Sequence, residues 1–258
     1  MSLVPAFASP SSPVIITGGA SGIGLACAQA LAAVGRPVAL WDINGDMAVD
    51  ACRAISDAHR TAATSIAVDL REIGAIETAL AATRDAIGAP GGLVHAAGIV
   101  DTGSLDGMTA NSWDSGIAIH LRSLAFIVQA IRADLAARPE SAIVAIASIN
   151  ATLGNAANPI YSAAKGGILS LVRSLADRLA MDGIRINSVS PGQIMTPMLR
   201  PTVDALPQGY FEKRILLNRL GEADEVARVV RFLLSDEASY ITASEIVVDG
   251  GNISSQRG

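Results

Sequence analysis

Between Ser148 and Lys165 the chain carries a hydroxyl, a phenol and an amine at a spacing that lets all three work on one proton. Tyr161 and Lys165 stand four positions apart, about one helical turn, so on a helix both side chains leave the same face. A free phenol has a pKa of roughly 10, too high for acid/base work near neutral pH. An ammonium beside it favours the phenolate, so Lys165 is expected to pull the Tyr161 pKa down. Ser148 ends an apolar run and can hydrogen-bond the same oxygen. The chemistry this trio allows is proton transfer to or from a substrate hydroxyl or carbonyl, with Tyr161 as carrier. A Tyr and a Lys at this spacing are common on helix surfaces, and only their surroundings give the pair meaning.

Those surroundings are alternating strands and helices. Residues 13–17 form a β-branched apolar run that passes into Gly18-Gly19-Ala20-Ser21-Gly22-Ile23-Gly24 and then an alanine-rich helical stretch to Val34. Gly18, Gly22 and Gly24 permit a tight turn and let backbone N–H groups approach a pyrophosphate at a helix N-terminus. A second strand, 37–41, ends at Asp42. A carboxylate there can accept hydrogen bonds from ribose hydroxyls and would repel a 2′-phosphate. The next residues, Ile43, Asn44 and Gly45, bring no cation to hold such a phosphate, which favours NAD over NADP. A helix over about 45–58 leads to a strand at 64–68. Asp69 follows, placed to meet an adenine amino group or to cap the helix that begins near Glu72.

Residues 92–98 give a fourth strand, with His95 as a packing or hydrogen-bonded residue at its end and small residues against which a ligand can lie. One long helix is expected over about 110–137, with apolar positions Trp113, Ile117, Leu121, Leu124, Val128 and Ile131, and with His120 inside it. A fifth strand, 142–147, delivers Ser148 at its carboxyl end, where open α/β sheets place ligands. The Tyr161 helix continues to about Met181, and its small and apolar residues suggest burial on more than one side, as between subunits. A sixth strand at 184–189 precedes a long irregular segment, 192–220, expected to be a substrate loop. A last helix, 222–234, and a closing strand from Glu245 complete a mostly parallel sheet covered on both faces. Residues 1–12, rich in Ser, Pro and Ala, are expected to be a flexible leader to one domain over 13–258.

Composition narrows the function. Half of the 258 residues are hydrophobic and 17% charged, with mean hydropathy +0.42, so much apolar surface must enter a core or subunit contacts. No apolar run spans a bilayer without a charged, Gly or Pro interruption. A net charge of −5 without a basic run argues against nucleic acid. Cys27 and Cys52 make no disulfide framework, and without a basic, apolar leader the expected location is cytoplasmic. The three histidines lack ligand spacing, so no metal is expected. His59 falls in a polar helix tail.

The chain from about Pro13 to Gly251 resembles the short-chain dehydrogenase/reductase family. The resemblance is carried by Thr17 to Gly24, Asp42, Asp69, Ala96-Ala97-Gly98, Ser148, the Tyr161-to-Lys165 segment, and Pro191-Gly192 with Thr196. It implies a Rossmann-type three-layer α/β fold with seven strands, hydride transfer to or from nicotinamide, and a homotetramer, or a dimer, built through the two long helices. By the same likeness Ser21, Ile23, Ile43 and Leu70 join the glycines and aspartates in holding NAD. Lys165 also holds the nicotinamide ribose, Thr196 and Ile194 meet the carboxamide, and Ser148 positions the substrate oxygen. Two positions depart from the family pattern. His95 stands where the family usually has Asn, and His120 stands where it places the Asn of a catalytic tetrad, a position that supports a water bridge to the lysine largely through its backbone carbonyl.

The expected activity is NAD-linked interconversion of a secondary alcohol and a ketone, with Asn150, Leu153, Asn155, Gln193, Met195, Met198 and Leu199 as substrate-pocket candidates. A 3-oxoacyl-thioester reductase is the alternative within the family. A non-catalytic NAD-binding scaffold, suggested by His120, is the alternative outside it.

Overall fold

The computed structural model describes residues 10–254. Seven parallel strands form one sheet, whose spatial order runs third, second, first, fourth, fifth, sixth and seventh of these strands in chain order. They are β1 (Val14–Thr17), β2 (Val38–Asp42), β3 (Ala63–Ala67), β4 (Gly92–His95), β5 (Ala142–Ile146), β6 (Arg185–Pro191) and β9 (Glu245–Val248), while β7 (Ile194–Met195) and β8 (Gly221–Glu222) pair separately. The helices are α1 (Gly22–Ala32), α2 (Gly45–His59), α3 (Ala75–Ile87), α4 (Ala110–Ile117), α5 (Ser123–Ala136), α6 (Asn150–Leu153), α7 (Pro159–Ala180), α8 (Arg200–Ala205) and α9 (Ala223–Leu233). This is the doubly wound Rossmann-type architecture the sequence implies.

Strand pleating splits the core in two. Ile15, Trp41, Leu93, Ile143 and Ile186 pack under α3, α5 and α7. Val14, Ile16, Val38, Leu40, Val144 and Val189 pack under α1, α2 and α9, with Cys27 and Cys52 as small buried members. Side chains along a strand alternate faces, so strands buried on both sides must be apolar at nearly every position. Burial pushes the Cys27 thiol up to about 12 and Cys52 to about 11, both inert at neutral pH. Strand order reverses between β1 and β4, and at that switch point the carboxyl ends of two neighbouring strands splay into a crevice.

The structure corrects three expectations. The helix over 110–137 is interrupted by a π-helical turn at Ala118–Arg122. One extra residue there rotates the remainder of the helix, so the apolar stripe through Leu124, Val128 and Ile131 faces the core while Trp113 is 41% exposed. The segment 192–220 is not wholly irregular: it contains β7 and α8, and β7 is tied to β8. Of the proposed flexible leader, residues 1–9 lie outside the described residues, but Ser12 is buried, its carbonyl and hydroxyl held by the buried Arg36 guanidinium. The helix at 110–136 is long and apolar enough to cross a membrane by length and composition, yet its α5 apolar face belongs to the core.

Candidate active site

A cavity of about 390 Å³ opens at the switch point. Its floor at one end is the turn from β1 into α1. Gly18 takes φ +65°, and a Cβ on Gly24 would stand 2.0 Å from the Gly18 carbonyl oxygen, so the backbone closes to a degree that side chains forbid. Ser21, the N-cap of α1, makes no side-chain capping bond, which leaves the first N–H groups of that helix for an anion. Asp42 braces the turn: its carboxylate accepts from the Ala20 N–H at 3.0 Å and the Asn44 N–H at 3.0 Å. The turn role and the ribose role are compatible, because each carboxylate oxygen keeps a further lone pair. An uncapped helix start behind a turn that excludes side chains, with a carboxylate one strand away, fits a dinucleotide.

Asp69, Leu70 and Ile43 line the same end, and so does Arg71, a cation that sequence reading passed over. Arg71 is committed to Asp69, with Nε 3.0 Å from both carboxylate oxygens and Nη2 at 2.5 Å. That pairing holds the Asp69 carboxyl below its ordinary value, chiefly through the Arg71 hydrogen bonds.

At the other end α7 brings Tyr161 and Lys165 to the cavity wall. Pro159 opens this helix, where its fixed φ suits the first turn and its missing N–H costs nothing. Lys165 Nζ lies 5.4 Å from the Tyr161 ring centroid and donates to the Ile146 carbonyl at 2.6 Å. Ser148, just beyond β5, stands near enough to the phenol to lower its pKa. The expected tuning is not what the geometry gives. Burial raises the Tyr161 pKa, against the lowering effect of Ser148, and burial pulls Lys165 down to about 7. Removing both groups from water disfavours the charged form of each, and with the ammonium turned to Ile146 its attraction for a phenolate does not compensate.

His120 sits in the π-helical turn with its ring edge-on to Tyr161, centroids 5.3 Å apart. Its Nε2 donates to the Ile99 carbonyl at 2.7 Å, while Nδ1 is buried without a partner among the described residues. Gly98 permits this: a Cβ there would fall 2.3 Å from His120 Cε1. His95 is fully buried, with Nδ1 3.0 Å from Thr17 Oγ1 and Nε2 3.1 Å from the His120 carbonyl. Thr17 Oγ1 itself accepts from the Ala96 and Ala97 N–H groups. A hydrogen-bond chain therefore runs from the β4 loop through Thr17 and His95 to the backbone of the π-helical turn. Burial first, and the nearby Lys165 second, push both histidines down to about 3, so both are neutral.

The family model described as "Enoyl-(Acyl carrier protein) reductase" matches residues 18–252. The chain belongs to the short-chain dehydrogenase/reductase family. It is 34% identical over 241 residues to a probable galactose dehydrogenase, GalD, of Rhizobium meliloti (strain 1021), covering 92% of this chain and 93% of that one. It is also 34% identical over 237 residues to the 3-oxoacyl-[acyl-carrier-protein] reductase FabG of Escherichia coli (strain K12), covering 92% and 95%. Among solved structures, L-sorbose reductase from Gluconobacter frateurii complexed with NADPH and L-sorbose superposes with TM-score 0.89 at 25% identity, covering 95% of this chain and 97% of that one.

Within this short-chain dehydrogenase/reductase site, most expected positions meet: Gly18, Ser21, Gly22, Ile23, Gly24, Ala96, Ala97, Gly98, Thr196 and Met198 all line the cavity. Others do not. Ile194 is buried in the core under α9, so its side chain cannot meet a ligand. Pro191 ends β6 against β9 and Gly192 follows it, with Asp249 filling the space a Gly192 Cβ would need. Asn155 is exposed and its side chain closes a turn by accepting from the Ala157 N–H. Asn150 and Gln193 are outside the lining; Asn150 donates its backbone N–H to Ser148 Oγ at 3.2 Å. Besides Arg71, sequence reading missed Trp41, Val68, Ile99, Ile119, Ile146 and Pro197 as wall residues. Only Arg71 carried a signal, a cation two residues past an aspartate.

Proposed function

We propose that the chain is an NAD(H)-dependent oxidoreductase that interconverts a secondary alcohol and a ketone, with Tyr161 as the acid/base. What carries the reading is one cavity shared by the glycine turn and Asp42 at one end and by Tyr161 and Lys165 at the other. When bound, the nicotinamide ring accepts or supplies the hydride. The chain's own part is proton handling and placement. The α1 N-terminus and the glycine turn would hold the pyrophosphate, and Asp42 the adenosine ribose. Ser148, beside the phenol, would orient the substrate oxygen, and Tyr161 gives its proton to a ketone oxygen or takes one from an alcohol. Lys165, with a pKa near 7, can pass that proton onward at neutral pH. His120, neutral and tied to Ile99, shapes the wall beside the phenol.

Asp42, with Arg71 already occupied by Asp69, supports NAD over NADP. The relatives named for galactose and L-sorbose chemistry favour a sugar or polyol among secondary alcohols. The FabG likeness keeps a 3-oxoacyl-thioester reductase as the second reading. We also propose a homotetramer assembled through the helices at 110–136 and 159–180, the first of which leaves Trp113 and Phe126 about two-fifths exposed; sedimentation would measure it.

The test is turnover of sugars, polyols, cyclic alcohols and hydroxyacids with NAD and NADP, followed by absorbance of the reduced cofactor. Tyr161→Phe is expected to lose about 10³-fold of the activity. Clear NADPH preference with 3-oxoacyl thioesters would favour the second reading, and undiminished Tyr161→Phe turnover would remove the mechanism.

A further inference from the structure

The helix that carries Tyr161 has no cap of its own. Asn158, at its N-cap, makes no capping side-chain bond, and Pro159 brings no N–H. The next two donors, on Ile160 and Tyr161, are instead taken by a carboxylate from far upstream: Asp101 Oδ1 accepts the Tyr161 N–H at 2.8 Å and Oδ2 the Ile160 N–H at 3.3 Å. The Asp101 carbonyl accepts from the Asn158 side-chain amide. Ser104 donates to the Ala156 carbonyl at 3.0 Å while held at φ +54°, a left-handed conformation that a serine keeps only when its surroundings impose it. Two residues before Asp101, the Ile99 backbone is fastened to the His120 imidazole. The loop after β4 is thus pinned at one end to the π-helical turn and at the other to the first turn of α7.

We propose that Asp101 is the positioning residue for Tyr161, capping α7 in trans so that the phenol is held at a fixed distance from Ser148 and the cavity. The inference rests on the reading of Tyr161 as the acid/base. Asp101 lies outside the cavity lining and bonds the backbone of Tyr161, not its phenol, so it acts through the helix start. A carboxylate suits the place twice over, by satisfying two orphan N–H groups and by its charge at the positive end of a 22-residue helix. Small errors in placing a proton carrier reduce turnover without altering dinucleotide binding.

The first arm of the test needs no substrate. Labelling with meta-fluorotyrosine gives one fluorine NMR resonance for each of the three tyrosines, assigned by single Tyr→Phe changes. In Asp101→Ala the Tyr161 resonance is expected to shift and broaden while those of Tyr210 and Tyr240 stay. Asp101→Asn, whose amide oxygen still accepts the Tyr161 N–H, is expected to restore it. The second arm uses the best secondary alcohol with NAD. Asp101→Ala is expected to lose roughly tenfold or more in kcat with the KM for NAD within about twofold, and to change the residual rate of Tyr161→Phe by less than about twofold. An unmoved Tyr161 resonance in Asp101→Ala, or an equal kcat loss in the Tyr161→Phe background, overturns the inference. Absent wild-type turnover, or full turnover in Tyr161→Phe, overturns the oxidoreductase reading instead, and the resonance arm then decides the placement alone.

Discussion

Lys165 is nearly fully buried, its ammonium donating to the Ile146 carbonyl. Burial lowers its pKa from 10.5 to about 7. Between those values the unfolded chain binds a proton that the native state does not, so stability rises with pH across that window and the cost is greatest below it. On the proposed reading of Lys165 as part of the proton path, that cost serves chemistry rather than folding. Lys165→Met is therefore expected to raise Tm at pH 7 by roughly 5 °C, part of the gain being offset by the orphaned Ile146 carbonyl, while turnover is lost. Calorimetry beside a rate assay checks both halves, and a lower Tm would show that the carbonyl contact outweighs the burial.

At the scale of elements, the π-helical turn and the loop after β4 form one unit. The extra residue at Ala118–Arg122 swings His120 inward, and Gly98 leaves the space its ring occupies. Because the ring is buried and bonded to Ile99, it cannot retreat from a new methyl group. Gly98→Ala is expected to destabilise the protein by about 1–3 kcal/mol. Adding His120→Ala should recover most of that loss, since it removes the clashing atoms, and denaturant midpoints of the two single variants and the double variant measure the coupling. Additive losses would mean that the strain lies elsewhere in the loop.

For the whole molecule, two neutral imidazoles sit inside one hydrogen-bond chain joining β1, β4 and the π-helical turn. His95 and His120 resist protonation down to about 3, against an ordinary 6.5. Their folded pKa values are lowered, so the stability they allow is complete above about 6.5 and declines as pH falls below it. The slope is about 1.4 kcal/mol per pH unit for each histidine. Unfolding free energies from pH 7 to 5 should therefore fall steeply, and more gently in His120→Asn. A flat profile would mean that the native state accepts these protons. Asp69 and Glu225 add little there, because their exposed arginine partners hold both carboxyls below the ordinary range and both stay ionised across that window.

The sequence by itself determined the doubly wound sheet, since apolar strands such as Ala142–Ile146, buried along their whole length, permit little else. It also determined the glycine turn and the meeting of Ser148, Tyr161 and Lys165, because strand ends and one-turn helical spacing are local geometry. Tertiary structure decided what local patterns cannot carry. Whether Lys165 lowers the phenol's pKa depends on burial and on the Ile146 carbonyl, both set by distant packing. The π-helical turn packs against α4, α5 and α7, and its residues carry no signature that announces it. Ile194 and Asn155 have ordinary types for a pocket, and only the neighbours around them send one into the core and the other to solvent. Asp101, sixty residues upstream of Tyr161, becomes its cap only through the folded chain, because a hydrogen bond depends on distance in space and a sequence records distance along the backbone.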